Sequence, residues 1–470
     1  MHRSIVAGAV VLLAGCQFAP KHVRPESPSP ESFPAEYAGD SAAGTHARQI
    51  GWRDFIEDPR LESLLSTALT HNRDLVIAVA RIDEARGLYR IQRSDRLPSL
   101  VATGDASRSR TMIAGVGGTA GGQSFTLDRY SIGVAVPAFE LDFWGRVRNL
   151  SEAARSQFLA TVQAQRAFRL SLIRDVAGAY LSSLEAAERI RLAEATVESR
   201  REGLRIARVR FEAGITSALD FRQAESLLTQ AEADLAGLRL TRARNENALA
   251  ELVGAPIDSA TPAALPLAEQ LSTTTLTPGL SSELLVARPD IMAAEEQLRA
   301  ARANIGAARA AFFPSISLTG NFGFSSTELD DLVGSDHQAW SFGPSIRLPI
   351  FNYGRNRGNL TVAEARENIA IATYERTIQT AFREVADALA GRRYLSEQVA
   401  AQERAVTAQR QIAELARTRY AEGVVSYIEV LDAERTLFAS EQALLQLRRL
   451  EADNLVNLYV VLGGGMVERR

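Results

Sequence analysis

The sequence predicts an internally duplicated membrane protein of mixed α and β structure, with four bilayer-length strands and two long helical hairpins per chain. Three observations predict it. Landmark residues recur in the same order about 200 residues apart, a repeat longer than a solenoid's but read by the same logic. Two segments in each copy alternate apolar and polar side chains over about 11 residues, the length a tilted strand needs to cross a bilayer. Each strand pair is followed by about 66 proline-free residues dense in Ala, Leu, Arg, Glu and Gln, a run that reads as one long helix.

The chain has 470 residues, 46% hydrophobic and 23% charged, enough for a large core and too polar for membrane helices beyond its start. The formal net charge of -3, with Arg and Glu interspersed, argues against a nucleic-acid partner, which needs a one-sided basic excess. Residues 1–15 read as a signal peptide: His2 and Arg3 are basic, 5–13 is apolar, and Leu13-Ala14-Gly15-Cys16 ends it on small residues. Cys16 is the only cysteine, so no disulfide can form within the chain. Leu-Ala-Gly-Cys resembles the bacterial lipobox, whose cysteine carries diacylglycerol and palmitate after cleavage. Gln17 stands where an Asp commonly signals inner-membrane retention, which resembles the outer-membrane class. Residues 16–50, rich in proline, are expected to form an extended lipidated tether and no core element.

The first copy is expected over 51–254 and the second over 281–463, with a linker at 255–280 and a tail at 464–470. Asn72-Arg73-Asp74 aligns with Arg288-Pro289-Asp290, and Leu97-Pro98-Ser99 with Phe313-Pro314-Ser315. Val136-Pro137-Ala138-Phe139 aligns with Leu348-Pro349-Ile350-Phe351, then Gly145-Arg146 with Gly354-Arg355. Farther on, Arg210-Phe211 matches Arg419-Tyr420, and Leu252-Val253-Gly254 matches Val461-Leu462-Gly463. Strands are expected at about 99–110, 126–139, 315–326 and 339–351, each with one apolar and one wet face. Gly115-Val116-Gly117-Gly118-Thr119-Ala120 fits a dinucleotide-binding pattern, but a strand follows it where a helix would be needed, so it reads as a surface loop.

The hairpins are expected at 145–254 and 354–463, turning at Gly214 and Gly423, with a long arm of about 100 Å and a return arm of roughly 55 Å. A helix at about 281–311 and another stretch at about 60–96 are expected to stack on the return arms, the latter on the last helix. Four strands cannot close a transmembrane barrel, so the strands must be shared between identical subunits in a ring, and strand count alone permits a dimer or a trimer.

The chain resembles the outer-membrane factor family of TolC and OprM, closest to its lipoprotein branch serving RND-type efflux pumps. The resemblance spans nearly the whole chain. Its marks are Trp52, Phe55, Asp58, Pro59 and Leu61; the run Glu140-Leu141-Asp142-Phe143-Trp144-Gly145-Arg146; and Val430-Leu431-Asp432-Ala433-Glu434-Arg435. It implies a homotrimer with a 12-stranded β-barrel, an α-helical barrel in the periplasm and an equatorial region. It further implies a periplasmic adaptor (membrane fusion) protein, an inner-membrane RND-type transporter and outer-membrane lipid as partners. By position Tyr420, Ile428, Glu429, Asp432, Arg435 and Asp220 resemble the family's periplasmic gate, and Asp432 stands out because Gln223 occupies its place in the first copy. Val425 departs from TolC, which has a bridging arginine there, so a gate salt bridge of that kind is not expected. The turns at Gly214, Ile215, Gly423 and Val424 resemble adaptor-docking tips.

The five histidines are scattered without metal-ligand spacing, and no catalytic constellation stands out, so neither an enzyme nor a cofactor is expected. A spacer or adhesin would leave the two-faced strands unexplained. Expected cargo is drugs or other small toxic compounds, with metal-ion efflux or type I protein secretion as the alternatives.

Overall fold

The computed structural model describes residues 17–34, 36, 45–113, 123–257, 262–271, 276–277 and 288–467. The signal segment, Cys16, the 115–120 glycine loop and parts of the 255–280 linker lie outside the described residues. In chain order the elements are β1 (Thr45–His46), α1 (Trp52–Phe55), α2 (Pro59–His71), α3 (Arg73–Ser94), β2 (Val101–Ile113), β3 (Gln123–Leu141), α4 (Arg146–Glu212), α5 (Ala218–Val253), β4 (Leu276–Thr277), α6 (Pro289–Ala310), β5 (Ser315–Ser326), β6 (Gln338–Arg347), α7 (Arg355–Ala421) and α8 (Tyr427–Val461). The long arms α4 and α7 are each 67 residues, about 100 Å at about 1.5 Å per residue. No helix among the described residues is long and apolar enough to cross a membrane.

Two compact units partition the chain. One contains an antiparallel sheet in the order β2-β3-β5-β6. Registers within this sheet decide how the two copies correspond. Val101 lies opposite Ala135 and Ser317 opposite Ser345, so with Leu97-Pro98-Ser99 matched to Phe313-Pro314-Ser315, Tyr130-Ser131-Ile132-Gly133 corresponds to Trp340-Ser341-Phe342-Gly343. The proline-based alignment of Val136 with Leu348 is therefore corrected by two residues, and Val136 corresponds to Ile346. A shared proline is weaker than a paired strand as a marker of position, because register is set by every side chain on the buried or lipid-facing side.

The first copy has one residue more between Val136 and Gly145 than the second has between Ile346 and Gly354. That residue is a bulge. Val136 faces Gly320 and the next pair is Phe139 with Leu318, so β3 spends three steps where β5 spends two. Pro137 has no N–H for the ladder, and bulges are where strands accommodate that loss. The slip also changes faces. Ile132 and Val134 share a face with Phe324 and Phe322, and past the bulge Phe139 and Leu141 join that face while Glu140 turns to the other, opposite Ser317. Along the second face, hydroxyls bond across strands: Ser317 to Ser345 at 2.7 Å, Ser341 to Asn321 at 2.6 Å, Thr319 to the Gly343 carbonyl at 3.0 Å. β6 ends at Arg347, so the strand expected to reach 351 is shorter, and Leu348, Ile350, Phe351 and Tyr353 follow in an exposed segment.

β3 and β5 join the two copies, with Gly133 directly opposite Gly323. A Cβ on Gly133 would lie 2.6 Å from the Phe322 carbonyl oxygen and 2.9 Å from the Gly323 Cα. The same unit holds the start of the amino-terminal strap. Phe18 stacks on Phe313 at 4.7 Å, Arg309 donates to the Phe18 carbonyl at 3.2 Å, Arg302 to the Val23 carbonyl at 2.7 Å, and Arg24 pairs with Glu295 at 2.8 Å.

In the other unit Leu61, Leu65, Leu181, Leu389 and Tyr459 are fully buried in one core. Phe33 of the strap enters this core and stacks on Phe382 at 4.8 Å, and β1 pairs in parallel with β4. The expected tether is thus corrected: it is extended, because its prolines disfavour helix, yet it packs as a strap whose carbonyls take arginine donors. Asp58 caps α2 through the Arg60 N–H at 2.7 Å and also accepts from the Tyr180 hydroxyl at 2.7 Å and the Leu265 N–H at 3.1 Å. Burial against that carboxylate pushes the Tyr180 hydroxyl pKa far up.

The 60–96 stretch breaks at Asn72, whose side chain accepts from the Leu75 N–H at 2.9 Å and donates to the Leu252 carbonyl at 2.8 Å. Its counterpart Arg288 donates to the Val461 carbonyl at 3.3 Å. Each copy therefore closes the end of its own return helix, and the break at Asn72 meets the end of α5, where the end of α8 was expected. The cause is local: the same position caps the orphan carbonyls at the same helix end in both copies.

Gly323→Ala or Gly133→Ala is expected to cost about 1–3 kcal/mol by forcing backbone against backbone. The measurement is heat-modifiable migration of the folded sheet on gels, with Gly237→Ala, whose added methyl meets nothing within 4 Å, migrating as wild type.

Candidate functional site

Both hairpins turn by the same device. Gly214 and Gly423 take left-handed φ of 73° and 75°, a conformation costly for residues with a Cβ. The Gly214 N–H donates to the Phe211 carbonyl at 2.9 Å and the Ile215 N–H to the Arg210 carbonyl at 2.8 Å; in the second hairpin Gly423 bonds to Tyr420 at 3.0 Å and Val424 to Arg419 at 2.9 Å. This double closure satisfies the last carbonyls of α4 and α7. Ile215 and Val424 are left exposed at the tips.

The return helices start differently. Ser217 caps α5 in a reciprocal box with Asp220, and the Thr216 hydroxyl donates to the same carboxylate at 2.6 Å. Those bonds, from Thr216 first and then Ser217, hold the Asp220 pKa below the usual carboxylate range. Ser426 makes no such side-chain bond at the start of α8, and Glu429 instead lies 3.7 Å from Arg419 on α7.

Near the turns the two hairpins interlock at several points. At the tip the Arg210 guanidinium on α4 donates to the Tyr420 hydroxyl on α7 and lies 5.2 Å from the centroid of that ring. One step along, the Tyr427 hydroxyl on α8 occupies the space that a side chain on Gly203 of α4 would need. Burial pushes the Tyr427 pKa up, and the neighbouring Glu434 adds to it. Next, Glu434 on α8 is held by Arg417 of α7 at 2.8 Å and by buried Arg200 of α4 at 3.1 Å. The Arg200 contact is one of charge, since its nitrogen is not aligned for a hydrogen bond.

Ile428, Asp432 and Arg435 line a groove of about 290 Å³ between α8 and Gln223, Ser226 and Leu227 of α5. Asp432 bonds to Arg435 of its own helix at 2.5 Å, both side chains being exposed. The Gln223 side-chain oxygen is buried there without a partner. Of the six residues expected at the gate, three meet in this groove, Tyr420 and Glu429 face other partners, and Asp220 is committed to its cap. Sequence reasoning missed Arg210, Arg200, Gly203 and Glu434. Gly203, a lone glycine inside a long helix, was the one available signal, since such a residue is retained where something packs close.

Farther along α8, Glu185 of α4 binds Arg189 at 3.0 Å and Arg449 at 2.7 Å. Arg449 also reaches Asp453, whose other oxygen is buried without a partner. Burial outweighs the arginine and pushes the Asp453 pKa up to about 6.

The outer membrane efflux protein family profile matches residues 64–255 and 280–464, one match per copy. The chain is 42% identical over 467 residues to the solvent efflux pump outer membrane protein SrpC of Pseudomonas putida, covering 98% of each. It is 40% identical over 453 residues to the cation efflux system protein CusC of Escherichia coli K12, covering 96% of this chain and 97% of that one. Among solved structures, a Pseudomonas aeruginosa membrane protein superposes with a TM-score of 0.88 at 40% identity, covering 95% of this chain and 100% of that one. The open-state MtrE outer membrane channel of Neisseria gonorrhoeae superposes at 0.87 and 39%, covering 96% and 99%.

Because the folded Asp453 pKa is raised, the native chain keeps a proton that the unfolded chain loses near pH 4. Stability from this group therefore falls as pH rises from about 4 to about 6. Asp453→Asn is expected to flatten that dependence, read as a smaller difference in melting temperature between pH 4.5 and 6.5 than in the wild type.

Proposed function

We infer the function of this chain from one premise: it belongs to the outer membrane efflux protein family. It is the outer-membrane channel subunit of a tripartite efflux pump in a Gram-negative bacterium, reaching into the periplasm. The observation that carries this reading is a sheet with one apolar and one hydroxyl-lined face, open at both edges. Three copies supply twelve strands, enough to close a barrel, with apolar faces to lipid and hydroxyl faces to a water-filled lumen. Along β3 the apolar face runs from Tyr130 to Leu141, roughly 35 Å of strand, which at a tilt of about 40° covers about 27 Å of bilayer. Acyl chains on Cys16 anchor the amino terminus to the same membrane.

Below the barrel the pump is completed by a periplasmic adaptor and an inner-membrane RND-type transporter, which supplies energy and selects cargo. The chain itself is a passive duct, neither an enzyme nor dependent on a cofactor. Its cargo is small toxic compounds, as the names of the solvent, toluene and antibiotic efflux relatives suggest. Metal-ion efflux is the second reading, favoured by 40% identity to CusC. A lumen of hydroxyls and glycines passes either class.

The periplasmic gate lies at the hairpin turns. Tyr420, Ile428, Glu429, Asp432 and Arg435 on the second hairpin, with Asp220 on the first, surround it, and the Arg210–Tyr420 contact is the latch. Gly214, Ile215, Gly423 and Val424 form the adaptor-docking tips.

A charge-assisted bond with a cation–ring contact holds on the order of 2 kcal/mol, a factor of about 30 in the closed-to-open ratio. Arg210→Ala and Tyr420→Phe should each raise mean single-channel conductance in planar bilayers, and wild-type conductance in both would sink the latch. Gly423→Arg should abolish crosslinking to the adaptor in cells while trimers persist, and retained crosslinking would move docking elsewhere.

A further inference from the structure

The apolar face of β2 and β3 stops at one level. Tyr130 pairs with Ala106 and Ile132 with Gly104, and strand alternation puts Tyr130, Ile132 and Val134 together on the lipid-facing side. Two residues farther from the helices, on that same side, Arg108 lies opposite Asp128, and two residues beyond it Arg110 lies opposite Thr126. β5 ends its pairing at Ser326 opposite Tyr130, so here β2 and β3 continue as a two-stranded hairpin past the four-stranded sheet. The other side of the hairpin reverses the pattern. It carries Gly133 and Ser131 within the sheet, then Arg129, and beyond it Leu127 and Phe125.

We propose that Arg108 and Arg110 form a binding site for the phosphate groups of an outer-leaflet glycolipid. This rests on the outer-membrane reading above and adds a ligand to it.

Depth supports the site. At about 3.3 Å per residue and a tilt of about 40°, Arg108 stands about 5 Å and Arg110 about 10 Å above Ala106, within and just above a headgroup layer of roughly 5–7 Å. The reversal of polarity at Tyr130 marks the same boundary, since charge faces outward only where the acyl chains have ended.

Charge points to phosphate. The Arg108 side chain is 76% exposed although it pairs with Asp128 at 3.3 Å, and an exposed pair of this kind holds little in water. Arg110 is exposed and donates to the Ser124 hydroxyl at 2.9 Å, a partner that leaves its charge in place. Guanidinium forks match phosphate oxygens in pairs of bonds. At the same end of the sheet the 327–337 loop, which joins β5 to β6, carries Glu328, Asp330, Asp331 and Asp336. Cations and carboxylates are thus segregated between the two hairpins, and an anionic headgroup is drawn to the first. A phosphate monoester carries about 1.5 to 2 negative charges at pH 7, more than the diester of a phospholipid, so a phosphorylated glycolipid is held in preference.

The test titrates detergent-solubilised trimers with diphosphorylated lipid A and counts bound lipid by native mass spectrometry. A guanidinium near an anionic membrane surface is worth about a factor of 5, so Arg108→Gln combined with Arg110→Gln should weaken binding roughly 25-fold. Asp128→Asn, which removes the competing carboxylate, should tighten it. Arg129→Gln, on the opposite side of the same hairpin, should bind as the wild type does. Dephosphorylated lipid A should bind the wild type no better than it binds the double variant. An equal loss in Arg129→Gln, undiminished binding of the dephosphorylated lipid, or displacement by phosphatidylglycerol or inorganic phosphate at equal concentration overturns the site. Conductance of the same trimers in planar bilayers would then leave the channel reading standing. Wild-type protein that forms no conducting trimer overturns both.

Discussion

A strand in hydrocarbon has no water to satisfy its N–H and C=O groups, so every one must find another strand. The larger sheet of this chain offers four strands and two bare edges, β2 and β6. The constraint makes the subunit incomplete alone and makes the duplication useful, because one pairing chemistry can serve the seams within and between subunits. Everything else is arranged to present that sheet correctly.

The bulge at Pro137 is where presentation is decided. If the bulge did not absorb the extra residue, Glu140 would stand on the apolar face and Phe139 on the wet one. One residue inserted into a period of two reverses both unless it is looped out. The second copy lacks the insertion, and its strand stops at Arg347, releasing an apolar segment that the first copy keeps in the ladder. The copies have thus diverged where one seam is internal and the other is an edge.

Along the hairpins the contacts are of a different kind. Toward the turns, beyond the shared apolar core, α4 meets α7 and α8 at specific points: Arg210 on Tyr420, Gly203 under Tyr427, and Arg200 on Glu434, which Arg417 of α7 also holds. A charge network is more readily rearranged than a packed core, because each group can find water when its partner leaves. Such a seam suits a segment proposed to open and close, whereas in the other core Phe55 stacks on Tyr459 and buried Asp58 accepts from Tyr180.

The amino-acid sequence by itself determined the strands, the long arms, the turns at Gly214 and Gly423, and the need for more than one copy. These follow from local rules: a two-residue period, helix-forming composition, left-handed glycine, and backbone groups that must pair. Only the tertiary structure decided which residues of the two copies correspond, since Pro137 and Pro349 aligned misleadingly until the registers were known. It also decided that the proline-rich strap is packed, that Asn72 caps its own copy's return helix, and that Asp220 is spent on a cap while Arg210 reaches Tyr420. Partners that lie about 210 residues apart leave no periodicity to read, because such contacts are chosen by how helices rotate against one another in space.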